Sequence, residues 1–209
     1  MEENVSNQKI KLGIIGAGAN TQKKHIPEFQ KIKDVEIIGV ANRSIESSQK
    51  VAKEFNIPIH YCKNINDPLT IQWIKNKQPD IIFCWGWSQI IQKDLLSLPN
   101  SGIVGVHPAL LPKNRGRHPL IWSLVLGLRE SGLTFFFMDE GADSGPILSQ
   151  ERFLIEDEDT AKDLYKKIKV LATKQIAKFL HSLLIKIIRH SIKIRSKLLI
   201  GVNVLKKME

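Results

Sequence analysis

Apolar runs separated by polar, helix-compatible stretches set out the framework of the chain. Residues 9–15 (KIKLGII) end at Gly16 and read as a buried first strand. A helix is expected from about Thr21, shortened by Pro27 near its first turns. Residues 35–41 (VEIIGVA) form a second strand. Ser44 then caps a helix to about Phe55, with Ser47 and Ser48 behind it. Residues 57–61 suit a short strand. Asp67 before Pro68 marks a helix that runs to Lys77. Residues 80–85 (DIIFCW) and 102–106 (GIVGV) are two more strands, followed by a loop at 108–117 and a helix over about 118–128. Residues 131–138 and 146–153 read as strands, and Thr160 caps a last long helix over 161–185. This alternation predicts an α/β fold: a mostly parallel, twisted, Rossmann-like sheet with helices on both faces.

Composition changes this picture little, and charge changes it only at one end. The 209 residues suit one α/β domain or one domain with a tail, and 43% hydrophobic with 25% charged is ordinary for a soluble globular chain. A net charge of +10 would suggest nucleic acid. Residues 186–209, however, hold seven bases against one acid, Glu209, and so carry six of the ten excess charges. The excess belongs to a basic tail, and no nucleic-acid partner is expected. Cys62 and Cys84 stand too far apart for a metal spacing or a disulfide framework, which fits a reducing cytosol. The polar start has no apolar signal region, and no uncharged apolar stretch reaches about 18 residues, so a cytoplasmic chain without a membrane span is expected.

Two constellations carry candidate chemistry. The first is Gly16-Ala17-Gly18-Ala19-Asn20-Thr21, placed between a strand and a helix as a dinucleotide-binding turn is. Thr21 stands where the third glycine belongs. At the end of the second strand, Arg43 and Ser44 would suit a 2′-phosphate better than a ribose hydroxyl. The GIIGAGAN turn, the HIP that follows and the VANRS segment resemble the NAD(P)-binding start of glucose–fructose oxidoreductase-like dehydrogenases over residues 8–56. That family's Glu-Lys-Pro segment and large substrate domain do not follow. The β–α–β unit is therefore read as scaffold, NAD(P) is not expected, and working nucleotide binding through Gly16, Gly18, Arg43 and Ser44 stays open as the alternative.

The second constellation lies between Pro79 and Gln150: PDIIFCWGWSQII, then GIVGVHPALLPKNRGRHPLIW, then FFFMDEGADSGPILSQ. His107 directly follows a buried strand, at the carboxyl end where open α/β sheets place ligands. Asp143 lies 36 residues on, in a Gly-Ala-Asp-Ser-Gly turn. An exposed histidine and a loop carboxylate suit an acid–base pair in which the carboxylate orients the imidazole.

These segments are similar to the folate-dependent formyltransferases over residues 57–185, a family that includes glycinamide ribonucleotide, methionyl-tRNA and sugar-nucleotide formyltransferases. The resemblance implies 10-formyltetrahydrofolate as co-substrate, with His107 and Asp143 as catalytic residues. It implies that Ala109, Leu110, Leu111 and Pro112 contact the folate. Gly86, Trp87 and Ile90, with Met138, Glu140, Gly141 and Ala142, would wall the pterin pocket. Arg115 and Gly116 would stand on the acceptor side, although solvated loop charges explain Arg115 and Arg117 equally well. His118 is read as a helix N-terminal residue without a role, and Trp85, Trp87 and Trp122 as core or pocket wall.

One position departs from the family's Asn-x-His. Gly105 stands where the resemblance implies an asparagine amide on the formyl oxygen, a donor whose loss typically costs ~10²–10³ in rate. Either a neighbour such as Asn114 replaces it, or the rate is low. The implied reaction moves a formyl group onto an amine, with His107 acting on the developing oxyanion or leaving nitrogen and Asp143 relaying the proton. No metal is required. The acceptor reads as a small-molecule amine, an amino-sugar nucleotide by the GADSGPILSQ and GRHPLIW wording; a homodimer is left open. An inactive relic of the same fold is the competing reading. The chain also looks mosaic, with residues 1–56 joined to 57–185 in one continuous sheet. Residues 186–209 are read either as a basic amphipathic helix or as a frameshifted remnant of a WRKR-type continuation, with an original C-terminal part then missing.

Overall fold

The computed structural model describes residues 9–179 together with 182, 183 and 187; the 186–209 tail expected from the sequence lies, apart from residue 187, outside the described residues. Seven strands form one sheet in the order β3-β2-β1-β4-β5-β6-β7. They are β1 Ile10–Ile15, β2 Val35–Asn42, β3 Ile59–Tyr61, β4 Ile81–Cys84, β5 Ile103–His107, β6 Glu130–Phe137 and β7 Ile147–Leu154. β1 to β5 pair in parallel, while β6 and β7 close the far side antiparallel. The strand order reverses direction between β1 and β4, so the crevice at the carboxyl ends of these two strands is the switch point where such sheets take ligands.

Each face of the sheet is covered because side chains alternate along every strand. On one face Phe83, Trp85, Val104, Leu133 and Phe135 pack with Val51, Ile168 and Phe179. That layer belongs to α1 (Ile26–Gln30), α2 (Ile45–Phe55) and α6 (161–179). Phe135 is fully buried, and one such side chain contributes about 1.5–3 kcal/mol. On the other face Ile15, Ile82, Cys84 and Ile103 pack with Ile74 of α3 (Pro68–Lys77) and Leu95 of α4 (Lys93–Leu96). The periodicity gives no sign of α4, which is a single turn. α5 (Pro119–Val125) lies between the β5 loop and β6, shorter than the 118–128 expected.

The caps follow the sequence. Ser44 Oγ accepts from the Ser47 N–H at 3.2 Å, and Asp67 Oδ1 accepts from the Leu69 N–H at 2.9 Å. At the start of α6, Asp163 reaches back to accept from both the N–H and the hydroxyl of Thr160. The helix expected from Thr21 begins with a π-helical turn, Thr21–His25, that runs into α1. Pro27 has no N–H and its ring crowds the carbonyl four residues back, and a wide turn just before it relieves both problems.

Candidate active site

His107 is the last residue of β5, and its imidazole is buried at 4% exposure. It shares a strand face with Gly105. Its Nδ1 faces Asp143 Oδ2 at 3.4 Å, and its Nε2 faces the main-chain carbonyl of Asn114 at 2.7 Å. Asp143 Oδ2 also accepts from the Gly116 N–H at 2.9 Å. The loop after β5 therefore crosses the pair with its backbone, placing a carbonyl on the histidine and an N–H on the aspartate. Asn114, Gly116, His118 and Asp143 all have positive φ, so the loop and the turn opposite it are held in left-handed conformations. Asn and Asp tolerate that region better than most residues.

The turn that presents Asp143 is built around close approaches. A Cβ on Gly145 would overlap the Phe137 carbonyl, so only glycine passes the end of β6. Asp139 Oδ1 accepts from the Gly141 N–H at 3.1 Å and from the Ser144 hydroxyl at 2.6 Å, folding Glu140, Gly141 and Ala142 outward as an exposed arc. Below, Thr134 holds the segment Ala109 to Leu111. Its hydroxyl donates to the Ala109 carbonyl at 2.7 Å and accepts from Gln150 Nε2 at 2.9 Å. Gln150 also donates to the Leu111 carbonyl at 2.9 Å. Sequence reading passed over Thr134 and Gln150; their pairing across β6 and β7 is the signal that would have found them.

The remaining candidates gather at the same edge. Ala109 and Leu111 are buried, Leu110 is half-buried and Pro112 is exposed. Gly86 has φ +58°, Trp87 is half-buried, Ile90 is exposed and Met138 is half-buried beside Gly105. A Cβ on Gly105 would lie 3.1 Å from Met138 Cγ and from two ring atoms of Phe136, so a side chain there would require these neighbours to give by a few tenths of an ångström. Asn114 offers His107 a carbonyl, which is an acceptor, while Arg115 and Gly116 are exposed. The indole N–H groups of Trp85 and Trp87 are buried and without a partner among the described residues.

The glycine turn of the first constellation is bound internally. The Ala17 N–H donates to Asn42 Oδ1 at 3.2 Å, and Gln22 Nε2 donates to the Ala17 carbonyl at 2.6 Å. Asn42 Nδ2 continues to Ser47 Oγ at 2.6 Å. A Cβ on Gly16 would overlap the Trp85 carbonyl, while Gly18 has open space around it. Arg43 lies 4.6 Å above the Trp87 ring and donates to Ser88 Oγ, and Ser44 caps α2.

A cavity of about 530 Å³ opens on the opposite face of the sheet from Gly105, lined by Val106, Pro108, Gly86, Trp85, Phe135 and Tyr165 among others. Lys24, Lys31 and Lys169 lie along it. His25 stacks on Trp85 at 4.5 Å in its wall. Burial, helped by the Lys24 charge, lowers the His25 pKa to about 4. Cys84 is buried and free, its thiol pushed up to about 12 by burial, and Cys62 is free as well. Among the described residues there is no cluster of three metal-binding side chains, and no helix is long and apolar enough to cross a membrane.

The chain is similar to known proteins over most of its length. The polymyxin resistance protein ArnA of Wigglesworthia glossinidia brevipalpis, a bifunctional protein, is 41% identical over 122 residues, which are 58% of this chain; the chain spans 19% of that relative's length. Phosphoribosylglycinamide formyltransferase from Bacillus halodurans superposes with a TM-score of 0.73 at 27% identity, over 83% of this chain and 95% of that one. A formyltetrahydrofolate deformylase from Pseudomonas syringae pv. tomato superposes with a TM-score of 0.74 over 86% of this chain and 62% of that one; at 16% identity it shows the shared fold alone. The Formyl transferase profile matches residues 8–180, which takes in both sequence constellations, and the chain belongs to the formyl transferase family of one-carbon transferases.

Proposed function

We propose that this chain transfers a formyl group from 10-formyltetrahydrofolate to the amine of an amino-sugar nucleotide, with His107 and Asp143 as the catalytic pair. The observation that carries this reading is the 3.4 Å approach of His107 Nδ1 to Asp143 Oδ2 at the carboxyl end of β5. In the reaction the acceptor nitrogen bonds to the formyl carbon, and the bond from that carbon to the folate nitrogen breaks. The acceptor amine gives up a proton and the leaving nitrogen takes one. His107 serves as the proton donor once its Nε2–H passes from the Asn114 carbonyl to the leaving nitrogen, and Asp143 orients its ring and takes up the amine's proton, roles worth ~10²–10⁴ in rate for a well-placed general acid–base group. Water would have to stay out of this edge, and the loop across the pair supplies that cover.

Two further observations support the substrates. Trp87 and Met138 pack on the Gly105 face and, with the exposed Ile90 and the arc Glu140 to Ala142, offer a wall for a flat heterocycle. The 530 Å³ cavity stands on the other face, of a size that suits a nucleotide-sized ligand, with lysines along it to meet phosphates. Val106 and Pro108, the chain neighbours of His107, line it, so the cavity ends beside the strand that carries the pair, while His107 and Asp143 themselves face the other side. Calorimetric titration with a non-hydrolysable 10-formyltetrahydrofolate analogue, with NADPH in parallel, tests the reading. Binding of the analogue that weakens in His107→Ala supports it. Binding of NADPH alone would assign the glycine turn a ligand instead, and binding of neither would mark a fold that has lost its chemistry.

A further inference from the structure

Two loops that share no strand pairing are joined by two side-chain carboxamides. Gln89, in the loop after β4, accepts from the Ile65 N–H at 3.0 Å and donates to the Lys63 carbonyl at 2.9 Å. Asn66, in the facing loop between β3 and α3, donates to the Ile90 carbonyl at 2.8 Å and accepts from the Gln92 N–H at 2.9 Å. Each amide thus uses both its donor and its acceptor on the backbone of the other loop, and the exchange is reciprocal. Underneath, Ile65 and Ile91 are fully buried and hold the two loops to the core. Ile90, between Gln89 and Ile91, projects outward at 58% exposure.

We infer that Asn66 and Gln89 are positioning residues for the co-substrate, an inference that rests on the folate reading of the loop Gly86 to Ile90. No strand or long helix sets the path of that loop. α4 begins only after Gln92, and the main chain from which Trp87 and Ile90 extend is held at two points, the Ile90 carbonyl and the Gln92 N–H, by Asn66, while the Gln89 side chain ties it to the backbone of Lys63 and Ile65. A loop already in its binding conformation need not lose that freedom when the ligand arrives, so preorganisation appears as affinity. The reacting groups, His107 and Asp143, contact neither amide. The cavity on the opposite face includes none of residues 63–66 or 87–92 among its lining residues. The effect should therefore fall on one substrate and on its binding step.

The test compares the full chain with Asn66→Ala, Gln89→Ala and the double variant. Each is titrated with the non-hydrolysable 10-formyltetrahydrofolate analogue and assayed for formyl transfer to one amino-sugar nucleotide. Each single variant should raise the analogue's Kd and the KM for formyl-folate about tenfold, with kcat and the acceptor's KM within twofold of the unmodified chain. The double variant should be little worse than the weaker single, because either change frees the same loop. Gln89→Glu keeps the acceptor toward Ile65 but sets a carboxylate oxygen, which cannot donate, against the Lys63 carbonyl, so it should bind the analogue no better than Gln89→Ala; it decides the matter if an alanine variant does not fold. An unmodified chain that binds the analogue, beside variants that bind it equally well, overturns the inference and leaves the folate reading standing. A loss confined to kcat also overturns it. An unmodified chain that binds no analogue overturns both.

Discussion

Nε2 of His107 meets the main-chain carbonyl of Asn114 at 2.7 Å, while Nδ1 meets the carboxylate of Asp143. A carbonyl can only accept, so Nε2 carries a hydrogen in this arrangement. Asp143 stands as an acceptor on the other side of the ring. Asp143→Asn isolates the role of that carboxylate. Asparagine tolerates the positive φ of position 143 and keeps an oxygen for the Gly116 N–H, so the fold should survive. The expected outcome is a fall of ~10²–10⁴ in the single-turnover rate of formyl transfer with a melting temperature close to the original. A rate within threefold of the unmodified chain would remove Asp143 from the mechanism.

The wall of the cavity has a titration of its own. Burial is the main reason that the His25 pKa falls to about 4 in the folded chain, with the Lys24 charge second. The unfolded chain binds this proton near pH 6.5 and the folded chain only near pH 4, so the unfolded state holds more protons in between. Stability from this group is therefore complete above pH 6.5 and is lost as the pH falls toward 4. The loss is on the order of 3 kcal/mol. His25→Phe keeps a ring to stack on Trp85 and has nothing to titrate. Urea denaturation of the two proteins at several pH values should show the variant's stability changing less across this window, and parallel curves would refute the assignment.

The loop at residues 109–111 depends on one buried hydroxyl. Thr134→Val keeps the shape and removes the donor to Ala109 and the acceptor for Gln150. Leaving such groups unpaired costs about 1–3 kcal/mol, and in a chain of this size each kcal/mol lowers Tm by roughly 2–4 °C. The released segment is one proposed to contact the folate, so the KM for formyl-folate should rise more than that for the acceptor. Equal changes in both constants would make Thr134 a purely structural residue.

How much of this was legible in the chain differs from element to element. β1, β2, β4 and β5 are buried on both faces and stand out as apolar runs. Ser44 and Asp67 start helices because their side chains can reach the free N–H groups, and that chemistry is local. His107 and Asp143 were readable from their wording, and the strand end and the glycine turn bring them together. The Asn114 carbonyl on His107 was not readable, because it depends on the path of a backbone rather than on a side chain. Thr134, Gln150, Asn66 and Gln89 were missed for a related reason. Each is an ordinary polar residue whose partners lie in another element, so its importance exists only after the sheet has formed. The π-helical turn before Pro27 is intermediate: the proline announced a disturbance, but not its form.

Gly105 is the position where sequence and packing speak most directly to each other. An asparagine there would bring the amide expected in this family, yet its Cβ would stand 3.1 Å from Met138 Cγ and from the Phe136 ring. Phe136 is buried and Met138 half-buried, so the ring cannot swing away, whereas the thioether chain can be shortened or rearranged. Gly105→Asn alone should therefore lower stability by about 1–3 kcal/mol, the usual cost of overfilling a packed site, and leave kcat no higher. Gly105→Asn with Met138→Ala removes the flexible half of the conflict. If the missing amide limits the rate, the pair should recover a substantial part of the ~10²–10³ that such a donor supplies. Melting curves and kcat on the single and double variants check both halves. A stable Gly105→Asn would refute the packing argument, and a stable double variant with unchanged kcat would show that this enzyme stabilises the oxyanion by another donor.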